Sequence, residues 1–103
     1  MVDAAQSALQ FCEGKQIEDL ERDKMLLYAT EKAVEIIGEA STYMSDETKA
    51  LLPEVDWRRI RQMRNRMIHG YDSISVEILW NTVQSRLPEL IKSLEDAMRR
   101  LHP

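Results

Sequence analysis

The stretch Ser75-VEILWNTVQSRLPELIKSLEDAMRR-Leu101 carries the clearest pattern in this 103-residue chain. Its apolar residues recur in alternating steps of four and three: Val76, Trp80, Val83, Leu87, Leu90, Leu94, Ala97 and Leu101. A heptad-like seam of this kind is typical of a helix packed against other helices. Ser75 is a suitable N-cap, and Pro88 should kink the helix because it cannot donate a hydrogen bond to the carbonyl of Gln84. The stretch therefore predicts the last helix of a bundle.

The first half of the chain also favours helices. Asp3 and Gln6 have capping-box spacing and open a short first helix that ends near Gly14. A long second helix is predicted over residues 17–44. Its apolar positions are Leu26, Ala29, Ala33, Ile36, Ile37, Ala40 and Met44. Because Gly38 within this helix costs about 1 kcal/mol relative to alanine, we expect a close helix contact there.

Two shorter helices complete the prediction. Ser45 caps a short segment that Pro53 ends, and Asp56 caps a helix over residues 57–68, with Gly70 just past its end. No segment shows the alternation of a strand. The expected fold class is all-α: an antiparallel bundle of four main helices plus a short helix, forming a single domain over residues 1–103.

Composition excludes several classes of protein. There is no apolar run long enough to span a membrane and no secretory signal pattern at the start, so a cytoplasmic protein is expected. The single cysteine, Cys12, excludes an internal disulfide and a cysteine-based zinc site. Neither a glycine-rich phosphate loop nor histidine spacing suited to a metal is present.

Charge is distributed unevenly within the net charge of −4. Residues 1–56 carry 13 acidic and 5 basic side chains, whereas residues 57–103 carry 5 acidic and 9 basic ones. Five of the nine arginines lie between Arg58 and Arg66. An acidic protein is a poor general binder of nucleic acid, but such a cluster can hold phosphate, and Arg58, Arg61 and Arg66 are the candidates. A solvated helix face is the simpler interpretation.

Arg64 is anomalous within that cluster. At 100° per residue it falls on the apolar stripe that contains Trp57, Ile60 and Met67. A buried, unpaired guanidinium would cost several kcal/mol. Arg64 must therefore meet a carboxylate, line a cleft or face another chain. Pairing with an acid such as Glu39, which would only lock the packing, is one interpretation.

His69 follows Arg64 by five residues, at the predicted helix end. Its imidazole can exchange a proton near neutral pH. On the helical wheel it is not directly above Arg64, so the two converge only if the helix ends there or a neighbouring chain completes the site. A histidine that interacts with the helix dipole is the structural alternative.

The run Arg64-Asn65-Arg66-Met67-Ile68-His69-Gly70-Tyr71 resembles the Arg-(four residues)-His-x-Tyr motif of HEPN-domain proteins. More narrowly, it resembles the HepT-like toxins encoded beside a minimal nucleotidyltransferase antitoxin. Residues 36–40, residues 53–57 and Trp80 with residues 87–90 are similar to further signatures of that family. The resemblance covers about residues 17–101, and the first helix is short for the family.

The resemblance implies a metal-independent endoribonuclease without cofactor, which acts on RNA rather than DNA and forms a homodimer or a higher oligomer. It assigns catalysis to Arg64 and His69 and a supporting role to Asn65. It also implies that the antitoxin transfers AMP from ATP to Tyr71, which would block RNA. The structural alternative for Tyr71 is a loop side chain with its hydroxyl in water.

Two other functions remain open on the sequence. The first is a catalytically inert helical module that dimerises or binds the nucleotidyltransferase, favoured by the heptad-like seam and the small core. The second is a nucleotide-binding helper of the transferase, in which the arginine cluster holds phosphates.

Overall fold

The computed structural model describes residues 1–68 and 75–102, with side chains through residue 65 and again from residue 75. The described ranges contain helices and no strand, which confirms the all-α fold class. The helices are α1 (Val2–Cys12), α2 (Ile17–Arg22), α3 (Lys24–Thr42), α4 (Asp46–Ala50), α5 (Trp57–Ile68), α6 (Val76–Asn81) and α7 (Leu87–Leu101), with a π-helical turn at Thr82–Arg86.

The predicted second helix is two helices, because Asp23 interrupts it. Asp23 has extended backbone, with φ −112° and ψ 99°. Its carboxylate accepts hydrogen bonds from the backbone N–H groups of Met25 and Leu26, at 3.0 and 3.2 Å. An aspartate that satisfies two N–H groups at a helix start is a strong N-cap, so α3 begins afresh at Lys24.

The predicted cap of the first helix was also wrong. α1 begins at Val2, with Met1 rather than Asp3 at its N-cap. Gly14 follows its end with φ +72°, in the left-handed region that favours glycine. Ser45, Asp56 and Ser75 do cap α4, α5 and α6 as predicted, since each side chain accepts a backbone N–H three residues later.

The last helix is interrupted where Pro88 predicts. The π-helical turn at Thr82–Arg86 separates α6 from α7, and Pro88 lies in the first turn of α7. A wider turn accommodates the backbone where proline offers no N–H group. The heptad-like seam is buried from Val83 to Ala97, as predicted, whereas Leu101 is exposed.

The core lies around α3, which packs against α1, α2 and α5, while α1 also packs against α7. The buried positions of α3 are Thr30, Ala33, Val34, Ile37, Gly38 and Ser41. Ile36, which the sequence placed on the core stripe, is exposed. No helix in the described ranges is long and apolar enough to cross a membrane.

Candidate active site

Helix α5 carries the predicted site, and contacts at its start fix its position. Asp56 caps it by accepting the N–H of Arg59 at 3.2 Å. The indole Nε1–H of Trp57 points to the backbone carbonyls of Lys49 and Leu52, at 3.2 and 3.3 Å. These hydrogen bonds join the first turn of α5 to the end of α4, so the helix starts from a rigid corner.

Arg64 lies against Gly38 of α3. A Cβ atom added to Gly38 would be 2.9 Å from Cβ of Arg64 and 3.0 Å from its Cγ. Cβ atoms in proteins essentially never approach other heavy atoms so closely. The close helix contact predicted at Gly38 is therefore confirmed, and its partner is the stem of the candidate catalytic arginine.

The guanidinium of Arg64 is incompletely satisfied. Its Nε atom is buried and has no hydrogen-bond partner among the described residues. The side chain as a whole is half-buried, and no ion pair with Glu39 occurs in the described part of the chain. The interpretation in which Glu39 neutralises Arg64 is therefore not supported, and the arginine lines a cleft.

Arg64 lies at the edge of the buried face of α5 rather than at its middle. Ile60 and Met63 are the buried residues of the described part of that face. Trp57 and Arg61 lie on the same side of the helix as Arg64, at steps of four and three residues. This side borders a cleft of about 450 Å³ between α4, α5 and the end of α3.

The other predicted residues are only partly placed. Arg58, Arg61 and Asn65 are exposed, and of these Arg61 lines the cleft with Arg64. The side chain of Arg66, and all of His69 and Tyr71, lie outside the described residues. The predicted pairing of Arg64 with His69 therefore stays a prediction.

A second groove lies on the opposite side of α5, facing α7, with a volume of about 420 Å³. Arg59 lines it but is engaged by carboxylates, 3.3 Å from Asp56 and 3.2 Å from Glu89. The groove is lined by three cationic and three acidic side chains, whereas the first cleft has three cationic side chains and one carboxylate. The two grooves thus differ in the net charge of their linings.

Cys12 and Glu31, which lie outside the two clefts, have shifted pKa values. Burial raises the pKa of the Cys12 thiol, although a weak hydrogen bond with Thr30 opposes that shift. A raised pKa disfavours the thiolate, which is the reactive form of cysteine. Burial, and then the neighbouring Glu35, raise the pKa of Glu31.

One cleft residue was missed by the sequence analysis. Lys49 belongs to α4, yet it lines the same cleft as Arg61 and Arg64. Its ammonium lies 5.8 Å from the ring centroid of Trp57, within cation–π range. Helical periodicity relates residues within one helix only, so no local pattern connects Lys49 with α5.

Comparisons with known proteins place this chain in a family. The sequence model described as "Ribonuclease HepT-like" matches residues 1–97. A protein of Thermococcus cleftensis named "Probable ribonuclease HepT" is 42% identical over 73 residues, which cover 71% of this chain and 66% of that relative, just under two thirds of its length. No solved structure gives a significant match.

Two further relatives align over nearly the whole chain. "Putative RNase MJ1380" of Methanocaldococcus jannaschii is 32% identical over 92% of this chain and 87% of its own length. "Putative RNase TTE0752" of Caldanaerobacter subterraneus is 32% identical over 89% of this chain and 88% of its own length. The chain belongs to the HepT-like ribonuclease family.

Proposed function

We propose that the protein is a metal-independent endoribonuclease, the toxin of a cytoplasmic toxin–antitoxin system, with Arg64 and His69 as its catalytic residues. The observation that carries this proposal is the placement of Arg64. Its stem packs on Gly38 and its Nε atom is buried without a described partner. The helix that carries it is described as far as Ile68, the residue before His69 in the sequence. Family membership and the ribonuclease names of the relatives add support.

The chemistry requires a base, an acid and a cation. The 2′-hydroxyl loses its proton to an imidazole and attacks the adjacent phosphorus, while the bond to the 5′-oxygen breaks and that oxygen takes up a proton. His69 supplies the base or the acid. Arg64 stabilises the extra negative charge that develops on the phosphate oxygens. The products carry a 2′,3′-cyclic phosphate and a 5′-hydroxyl.

Cleavage of RNA in EDTA tests this proposal. We expect wild type to cut RNA but not the matching DNA, because DNA lacks the 2′-hydroxyl. Arg64→Ala and His69→Ala should each reduce cleavage by at least about 100-fold. Arg99→Ala is the control, since Arg99 pairs with Asp96 on the exposed side of α7. Folded Arg64 and His69 variants that cut at the wild-type rate would refute the assignment.

A homodimer is the second part of the proposal. Helix α3 and its C-cap expose apolar side chains on one side: Met25 at 78% and the C-cap Tyr43 at 88%, with Tyr28 and Ile36 also exposed. Exposed apolar surface of this kind marks interaction sites. A second copy covering it would remove these side chains from water.

Sedimentation equilibrium tests the dimer. Wild type should sediment at twice the mass of the 12.0 kDa chain. Ile36→Glu should shift the equilibrium towards monomer, because it places a charge within the apolar face. Glu95→Gln, which changes an exposed carboxylate of α7, should leave the mass unchanged. A monomeric wild type at high concentration would contradict the dimer.

The third part is regulation by a nucleotidyltransferase antitoxin that transfers AMP from ATP to Tyr71, with release of pyrophosphate. This step rests on the His-x-Tyr run in the sequence. Incubation with the transferase and ATP should add the mass of one AMP group and stop RNA cleavage. Tyr71→Phe should prevent the addition, whereas Tyr43→Phe, which changes an exposed tyrosine, should not.

An inert interaction module is the alternative, and the exposed apolar side of α3 favours it. This alternative predicts a dimer that binds the transferase but never cuts RNA. Absence of cleavage by a dimeric wild type in EDTA, with an unchanged RNA pool in cells, would favour the module over the enzyme.

A further inference from the structure

We propose that the cleft between α4 and α5 binds the phosphodiester backbone of the RNA strand beside the scissile phosphate, with Lys49 and Arg61 as the binding residues. This inference rests on the proposed ribonuclease function. The cleft is lined by Thr42, Asp46, Lys49, Trp57, Arg61 and Arg64, among others. It is defined here as the α4–α5 cleft.

The α4–α5 cleft has more positive than negative side chains. The α4–α5 cleft contains three cationic side chains and one carboxylate, that of Asp46. In the described part of the chain, ion pairs engage Lys32, Arg59, Arg99 and Arg100, but not Lys49, Arg61 or Arg64. Positive charge is therefore in excess in this cleft, whereas the groove that faces α7 is lined by three cationic and three acidic side chains. An anionic ligand is the chemistry that such a cleft recognises.

Few uncharged hydrogen-bond donors of the cleft are available to a ligand. The hydroxyl of Thr42 donates to the carbonyl of Glu39 at 2.7 Å, and that of Ser41 donates to the carbonyl of Gly38 at 2.6 Å. Both hydroxyl protons are therefore engaged within α3. The donors that remain for a ligand are the ammonium and guanidinium groups, so the ligand is held by charge-assisted bonds to oxygen atoms that carry negative charge.

Contacts between α4 and α5 hold the two walls of the cleft together. Trp57 donates its indole N–H to the backbone carbonyl of Lys49, and the Lys49 ammonium lies over the Trp57 ring. The distance between the two walls of the cleft is therefore set before a ligand arrives. The ammonium of Lys49, held over the ring, gives up less conformational entropy when it binds a phosphate.

The positions of the three cationic side chains favour an RNA strand as the ligand rather than an isolated anion. Arg61 and Arg64 are one helical turn apart on the same side of α5, roughly 4.5 Å along its axis. Lys49 continues the cationic surface away from Arg64 onto α4. A strand whose reacting phosphate lies at Arg64 would therefore meet Arg61 and Lys49 with its neighbouring phosphates. We assign these two residues to binding, and neither to catalysis.

Binding of a short, fully 2′-O-methylated RNA tests the inference. This probe lacks the attacking hydroxyl, so wild type can be measured without cleavage, by fluorescence anisotropy at several salt concentrations. Lys49→Ala and Arg61→Ala should each raise Kd by about tenfold. Each should also reduce the slope of log K against log[salt] by about 0.7, the value for one lost contact with a single strand.

Matched variants control for loss of structure. Arg59→Ala removes an arginine of the same helix that is held by carboxylates, so its Kd and salt slope should stay within about twofold of wild type. Lys49→Arg and Arg61→Lys retain the charge and should restore most of the affinity. Because Trp57 bonds to the backbone of Lys49, these side-chain changes leave the corner between α4 and α5 intact.

The outcomes separate this inference from the proposed function. If wild type cuts RNA but Lys49→Ala and Arg61→Ala bind the probe like wild type, the cleft assignment is overturned while the enzyme stands. The assignment is also overturned if wild type does not bind the probe. It is overturned as well if these variants lose ATP or AMP binding while their RNA binding is unchanged. If the expected pattern holds in a wild type that cuts nothing, the RNA site stands without the enzyme.

Discussion

At the residue scale, the contact between Gly38 and Arg64 accounts for the unusual position of each residue. A glycine in the middle of a helix and an arginine beside apolar positions are both unfavourable alone. Together they form a close contact in which the arginine stem occupies the space that a side chain at position 38 would need. The glycine is therefore a positioning residue for Arg64.

Gly38→Ala tests that role through stability. Helix propensity alone would make the variant about 1 kcal/mol more stable. The contact of 2.9 Å with Arg64 should reverse the sign and lower the free energy of unfolding by about 1–3 kcal/mol, the usual cost of overpacking. Urea denaturation measures the difference in the free energy of unfolding. Glu39→Ala, at the exposed neighbouring position, is the control. A more stable Gly38→Ala variant would show that α5 can move away at no cost.

Glu54 and Arg100 form the residue pair with the clearest pH dependence. Arg100 donates to both carboxylate oxygens, at 2.9 and 3.1 Å, and these hydrogen bonds hold the pKa of Glu54 below its ordinary value. A lowered pKa in the folded state means that the pair stabilises the fold above the unfolded pKa. The contribution is lost as pH falls through the folded value.

Glu54→Gln should therefore lower Tm at neutral pH, and its difference from wild type should shrink as the pH falls below about 4.5. Thermal unfolding followed by circular dichroism measures this difference. Glu95→Gln, which changes an exposed carboxylate of α7, is the control. A difference in Tm that is the same at every pH would mean that the carboxylate charge contributes nothing.

At the element scale, the start of α3 depends on one side chain. Asp23 satisfies two backbone N–H groups and separates α3 from α2. Asp23→Ala should lower the free energy of unfolding by about 1–2 kcal/mol, whereas Asp23→Asn should cost much less because its amide oxygen also accepts these bonds. Chemical denaturation compares the two. Equal losses would indicate that charge, rather than the cap, is what matters.

At the scale of the whole molecule, α7 closes the core over α1. Leu87 is fully buried next to the π-helical turn. Leu87→Ala should cost about 2–5 kcal/mol, a large share of the roughly 5–15 kcal/mol by which a domain is stable. Leu101→Ala, at the 45% exposed end of the same seam, should cost well under 1 kcal/mol. Similar losses at the two positions would mean that α7 does not pack as described.

The sequence by itself determined the local features of this protein. The helix of residues 57–68, three of the caps, the interruption near Pro88 and the buried seam of α7 all follow from periodicity and capping, which act within a few residues. The motif at residues 64–71 likewise needed no structure to suggest a family. Asp23 was missed because the predicted helix was extended back to residue 17, although its apolar positions begin only at Leu26, three residues after this cap.

Only the tertiary structure decided which surfaces meet. In the folded chain Ile36 is exposed and Arg64 packs against Gly38. Lys49 of α4 and Arg61 of α5 line the same cleft. The physical reason is that a helix repeats its pattern along one axis, whereas a cleft depends on the distance and rotation between helices. Those quantities are set by packing across the whole core, which no short stretch of sequence contains.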